Sequence, residues 1–288
     1  MTRRDELLVR PDRLFSGYVF DLDGTLYLGD ELLPGARATV AAVRDAGRRA
    51  VFLTNKPLDL PSDYAAKLTS LGIPAQPHDV VSSTDALIGY LADHARGARL
   101  YPVAEPLIVE LLATGGFVVT DRPLEADAVV VSFDRTFDYA KLLGAYQAAR
   151  NGARIIATNP DPYCPTPDGG LPDCGAILAA IETASGVSAE AIVGKPSRHM
   201  AAVLVDRLGV PARETVLVGD RLLTDMRMAR EAGMASALVL TGATSLADLR
   251  AVADRPDFVL ETISDLVPAA SEIARTEAVS SRGGGSVG

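Results

Sequence analysis

Short apolar runs alternate with longer stretches of helical periodicity along almost the whole chain. The runs fall at residues 18–20, 50–53, 128–131, 154–157, 215–218, 237–240 and 258–260, and each predicts a strand. Between them, residues 62–71, 139–150, 175–184, 198–208 and 222–232 carry helical patterns. Many such segments end in glycine, as at Gly47, Gly72, Gly152, Gly186, Gly209 and Gly233, where a helix C-terminus favours positive φ. Strand–helix alternation of this kind predicts an α/β fold with parallel, Rossmann-like sheets covered by helices.

The strand ends carry the chemistry. In open α/β sheets ligands bind beyond the carboxyl ends of the strands. Tyr18-Val-Phe runs into Asp21-Leu-Asp23-Gly-Thr, Val51-Phe-Leu into Thr54-Asn55, and Val216-Leu-Val-Gly into Asp220. A fourth segment, Ile192-Val-Gly, leads to Lys195. From Thr54 to Lys195 is 195 − 54 = 141 positions, whereas one βαβ step needs only about 30 residues, so roughly 100 are surplus between two elements expected side by side. The surplus has strands and helices of its own. The expected organisation is a discontinuous core domain, residues 1–85 and 187–279, interrupted by an inserted α/β cap domain over 86–186. The final residues 280–288, SSRGGGSVG, have linker composition and are expected to be disordered.

Composition narrows the partners. The formal net charge is −9, which disfavours nucleic acid and anionic membranes. No apolar stretch approaches the length of a membrane span, and the N-terminus lacks an apolar signal core, so a soluble cytoplasmic protein is expected. A homodimer is left open. The two cysteines, Cys164 and Cys174, have no CxxC spacing and are expected as free thiols. His78, His94 and His199 match no motif and are expected at surface or structural positions.

Asp21, Asp23 and Asp220 would repel one another unless a cation lay between them. Every candidate ligand is a hard oxygen donor, which favours Mg²⁺ over zinc. An aspartate can attack phosphorus, and an aspartyl-phosphate divides one hard step into two. Phosphoryl transfer then needs positioning and charge neutralisation, to which Lys195 and the Thr54 hydroxyl are suited.

The motifs Asp21-Leu-Asp-Gly-Thr, Leu53-Thr-Asn, Gly194-Lys-Pro and Gly219-Asp-Arg-Leu-Leu-Thr-Asp225 resemble those of the haloacid dehalogenase (HAD) superfamily. The stretch Ala157-Thr-Asn-Pro-Asp, then Gly175-Ala-Ile and Val193-Gly-Lys-Pro, is similar to its NagD / p-nitrophenylphosphatase branch, which carries a large α/β cap. The resemblance implies Asp21 as nucleophile and metal ligand, and Asp23 as general acid/base and a ligand through its backbone carbonyl. It implies phosphate binding by Thr54 and Asn55, and Lys195 steadying nucleophile and phosphate. Asp220 would bind Mg²⁺, with Asp225 oriented behind it.

Two positions depart from the family pattern. Lys56 adds charge after Thr-Asn and is a candidate substrate contact, and Pro172-Asp-Cys-Gly175 replaces the more usual Pro-Gly-x-Gly. Arg135 reads equally as a substrate contact or a surface salt-bridge residue, and Asp161 as part of a specificity loop or a Pro-Asp turn. The function expected is Mg²⁺-dependent hydrolysis of a small phosphate monoester, such as a sugar, polyol, nucleotide or pyridoxal phosphate. The alternatives are a 2-haloacid dehalogenase, which should lack the carboxylate at Asp23, and a non-catalytic sensor of a phosphometabolite.

Overall fold

The computed structural model describes residues 7–166 and 169–268; the tail 280–288 lies outside them. In chain order the first elements are β1 (Gly17–Asp21), β2 (Tyr27–Leu28), β3 (Glu31–Leu32), α1 (Ala36–Asp45), β4 (Arg49–Thr54), α2 (Pro61–Ser70), β5 (Val80–Ser82) and α3 (Ser83–His94). The middle holds β6 (Arg99–Val103), α4 (Pro106–Thr114), β7 (Val118–Val119), β8 (Ala128–Val131), α5 (Tyr139–Arg150), β9 (Arg154–Ala157), β10 (Tyr163–Thr166), β11 (Gly169–Pro172) and α6 (Cys174–Ser185). The last are β12 (Ala191–Ile192), α7 (Arg198–Leu208), β13 (Thr215–Gly219), α8 (Arg227–Glu231), β14 (Ala235–Val239), α9 (Leu246–Ala251) and β15 (Phe258–Leu260). Among the described residues no helix is long and apolar enough to cross a membrane.

The chain forms two compact units. The first takes the described residues up to Phe52, Leu68–Pro74 and those from Val205 onward. Its strands run in the order β15-β14-β13-β1-β4, and β1 pairs parallel with β13, β13 with β14 and β14 with β15. β1 and β13 are buried at every position, as continuous apolar strands covered on both faces must be. Tyr18 stacks on Phe20 at 6.0 Å, and Phe20 lies 6.3 Å from Phe52. The buried Tyr18 hydroxyl accepts a hydrogen bond from Phe15 N at 3.1 Å, so its polar tip is satisfied. Helix α1 buries Ala36, Thr39, Val40 and Val43, one face at i, i+3, i+4 and i+7.

The second unit takes Leu53–Lys67 and Ala75–Leu204. Its sheet runs β12-β9-β8-β6-β7, with every pair parallel. Val129, Val131 and Ile155 pack with Ala145, Ala148 and Ala149 of α5 and Ile177, Leu178 and Ile181 of α6. Helix α3 starts at a capping box, Ser82 with Asp85, and α5 starts at Asp138, whose side chain accepts from Lys141 N.

Two expectations are corrected here. The segment before Lys195 pairs with β9 in the second unit's sheet. It is not a further strand of the sheet that holds β1. The helix expected over 222–232 opens instead as a π-turn, Leu222–Met226, before α8 begins. The wider turn accompanies a close approach: a Cβ on Gly219 would lie 2.4 Å from Asp225 Cγ. Asp225 Oδ2 also accepts from Arg221 N at 3.2 Å.

Candidate active site

In the first unit, β1 and β13 lie side by side with Phe20 opposite Val218. Asp21 therefore ends one strand beside the point where Asp220 leaves the other. Carboxylate oxygens of Asp21, Asp220 and Asp225 all lie within 4.8 Å of one another, and all three residues are buried. Like charges about 4 Å apart cost on the order of 4 kcal/mol per pair at an effective dielectric near 20. A cation among them removes that cost, and the donor set is entirely hard oxygen, which suits Mg²⁺.

The surrounding backbone is shaped to hold these acids. Thr25 Oγ1 donates to Asp21 Oδ2 at 3.2 Å. Ala243 N donates to Asp220 Oδ2 at 2.6 Å, and Thr244 N to Asp220 O at 3.2 Å. A Cβ at Gly242 would stand 2.1 Å from Asp220 Oδ2, so only glycine lets the 241–244 loop approach. Gly24 has φ +82°, and a Cβ there would meet the same oxygen at 2.6 Å. Asp23 is half-buried in the turn after β1, and its carboxylate is not one of the three.

The second unit holds Thr54, Asn55, Lys56 and Lys195. Asn55 Oδ1 accepts from Lys195 N at 2.8 Å, and Asn55 Nδ2 donates to Lys195 O at 3.3 Å. The side-chain amide thus clamps the Lys195 residue on both backbone groups. Asn55 Nδ2 also donates to Asp161 Oδ2 at 2.9 Å, while Asn55 O accepts from Ser83 Oγ at 2.7 Å and Asn159 Nδ2 at 3.2 Å. A Cβ at Gly194 would lie 2.3 Å from Thr158 O and 2.7 Å from Asn55 Oδ1, so the clamp requires glycine there. Thr54 is buried, and its Oγ1 accepts from Lys56 N at 3.0 Å.

Asp161 therefore supports Asn55. Asp173, in the unusual Pro-Asp-Cys-Gly stretch, caps α6 and accepts from Cys174 N at 2.5 Å. Burial, aided by the charge of Asp161, pushes its carboxyl up to about 6. Lys56 and the hydrogen bonds from Cys174 N and Asn159 pull the other way. Gly175 is sterically required: a Cβ would sit 2.3 Å from Pro160 O. Arg135 is held by Glu105, Nε to Oε1 at 2.7 Å and Nη2 to Oε2 at 3.3 Å, which favours its salt-bridge reading. His94 stacks on Tyr90 at 4.4 Å with His199 edge-on to the same ring, and His78 pairs with Asp79 at the surface. Cys164 and Cys174 are both buried, and burial pushes the Cys174 thiol up to about 11.

Sequence reasoning did not single out Ser83, Gly242 or Ala243, and it quoted Asn159 and Asp173 within their motifs without giving either a role. Gly242, in Thr241-Gly-Ala-Thr just after an apolar run, was the one with a readable signal.

Residues 18–118 match the family model of haloacid dehalogenase-like hydrolases, and residues 192–266 match a second model, described as HAD-hydrolase-like. The chain is 37% identical to the sugar-phosphatase AraL of Bacillus subtilis over 257 residues, covering 89% of this chain and 94% of that protein. It belongs to the haloacid dehalogenase-like hydrolases. The branch follows from solved structures. The 4-nitrophenylphosphatase of Thermotoga maritima superposes with a TM-score of 0.82 at 34% identity, over 88% of this chain and 96% of that one. NagD from E. coli K-12 gives 0.80 at 31% identity, over 88% and 99%. This HAD hydrolase is thus a phosphatase of the NagD-like branch, as its motifs implied.

Proposed function

We propose that this HAD phosphatase hydrolyses a small phosphate monoester, a sugar phosphate first among the candidates, through an aspartyl-phosphate on Asp21. The observation that carries this reading is the buried group of Asp21, Asp220 and Asp225 at the ends of adjacent strands. Asp21, Asp220 and the backbone carbonyl of Asp23 would hold Mg²⁺, with Asp225 orienting the group. When bound, the ion would supply charge neutralisation for the phosphoryl oxygens.

The reaction proceeds in two half-steps. A carboxylate oxygen of Asp21 attacks phosphorus, and the bond to the leaving alkoxide breaks as Asp23 gives that oxygen a proton. Asp23, now ionised, takes a proton from water. The water oxygen attacks phosphorus, and the phosphorus–oxygen bond to Asp21 breaks to free Asp21 and phosphate. Thr54, Asn55 and Lys195 bind the phosphoryl group in this scheme. The bidentate clamp of Asn55 on Lys195 supports that pairing of roles. Lys56 adds a contact to a remote anionic group of the substrate. The inserted residues 86–186 form the cap domain that selects the substrate.

The test is a panel of phosphate esters and 2-haloacids, read by phosphate and halide release with and without Mg²⁺. Metal-dependent phosphate release is expected. Halide release without phosphate release would assign a dehalogenase, and ligand binding without either would assign a sensor.

A further inference from the structure

A cleft of about 460 Å³ runs along one side of residues 222–233 in the first unit, and none of the three clustered carboxylates lines it. Five arginines do: Arg13, Arg213, Arg227, Arg230 and Arg255. In a chain of net charge −9, this convergence reverses the overall sign. Three of the guanidiniums meet carboxylates, Arg213 with Glu214 at 3.2 Å, Arg227 with Glu231 at 2.7 Å and Arg230 with Asp254 at 2.7 Å. Those pairs are solvent-exposed and worth at most about 1 kcal/mol each, so they yield readily to a stronger partner. Arg13 and Arg255 make no ion pair among the described residues.

Two acids also line the cleft, Asp254, which pairs with Arg230, and Asp257, which is held by Ser236. Asp257 Oδ2 accepts from Ser236 N at 2.9 Å and Ser236 Oγ at 2.7 Å. The floor is apolar. Phe15 and Phe258 meet edge to face at 5.9 Å, Met226 and Met234 are buried beside them, and Arg13 lies 4.6 Å over the Phe15 ring. Guanidinium forks match the geometry of a phosphate or carboxylate, and an apolar floor strengthens such contacts. We propose that this cleft is a second, oxyanion-binding site that takes a phosphate group, free or carried on a small organic molecule. Its occupant rests against Leu222 and Met226, the two ends of the turn that carries Asp225.

The test is a titration of the ¹⁵N-labelled full chain, followed by the amides of Gly233, Ala235 and Phe258. The probes are inorganic phosphate and benzylphosphonate, which has no ester to hydrolyse, and potassium chloride of matched ionic strength is the control. Saturable shifts with both probes and none with chloride are expected. Tighter binding of benzylphosphonate would identify a carried phosphate, and equal affinity free phosphate. Arg13→Ser with Arg255→Ser should weaken both probes by about tenfold or more. Arg96→Ser with Arg150→Ser, exposed arginines of the second unit, should leave them unchanged. Absence of saturation at these amides, unchanged affinity in the first double variant, or equal weakening in the second would each overturn the assignment.

Discussion

At the scale of single residues, the Asp173 carboxyl is raised by burial, aided by the nearby charge of Asp161. The folded state therefore holds the Asp173 proton more tightly than the unfolded chain. The stability this adds is present below the ordinary carboxyl value, 3.8, and is lost as pH rises through about 6. Relative to Asp173→Asn, which does not titrate, the native protein should lose about 3 kcal/mol across that window. Denaturant melts of both proteins at a series of pH values measure this, and a difference flat with pH would remove the buried-acid assignment. Asp23 gives a kinetic prediction. General acid/base help is worth about 10²–10⁴-fold, but nitrophenolate leaves without a proton. Asp23→Asn should release about one equivalent of nitrophenol in a burst and then stall, whereas an alkyl phosphate should react slowly from the first step. Equal losses on both substrates without a burst would leave Asp23 a structural acid.

At the scale of elements, the strands were legible and the turns were not. Apolar runs at 128–131, 154–157 and 258–260 coincide with β8, β9 and β15. The helix over 139–150 matches α5. Strand membership was beyond reach: Ala191–Ile192 reads as one more apolar run, and only pairing with β9 reveals its sheet. The π-turn at Leu222–Met226 was also invisible, because the periodicity of 222–232 fits an ordinary helix. The turn accompanies the close approach of Asp225 to Gly219. Gly219→Ala should push Asp225 out of the carboxylate group, since the new methyl would fall within 2.4 Å of Asp225 Cγ. Overpacking of this kind typically costs about 1–3 kcal/mol. A lowered melting temperature with weaker Mg²⁺ binding by calorimetry is expected. If both are unchanged, the turn is not what holds Asp225.

At the scale of the whole molecule, the order of the four motifs made the superfamily readable, because the four together are far more specific than any one of them. The support around them was not readable. Asn55 meets Asp161 and Lys195 across 106 and 140 positions of sequence, and such meetings arise only from the fold. An acidic chain that acts on phosphate must answer charge with charge, so exhaustive chelation should abolish turnover and added Mg²⁺ restore it. Undiminished turnover after chelation would contradict the metal assignment. The central claim is that the phosphoryl group passes through Asp21, and the most direct measurement is peptide mass spectrometry of enzyme acid-quenched during turnover. A phosphoryl group on Asp21, absent from Asp21→Asn and accumulating in Asp23→Asn, is the expected result. Sustained phosphate release by Asp21→Asn, or phosphorylation at another residue, would contradict it.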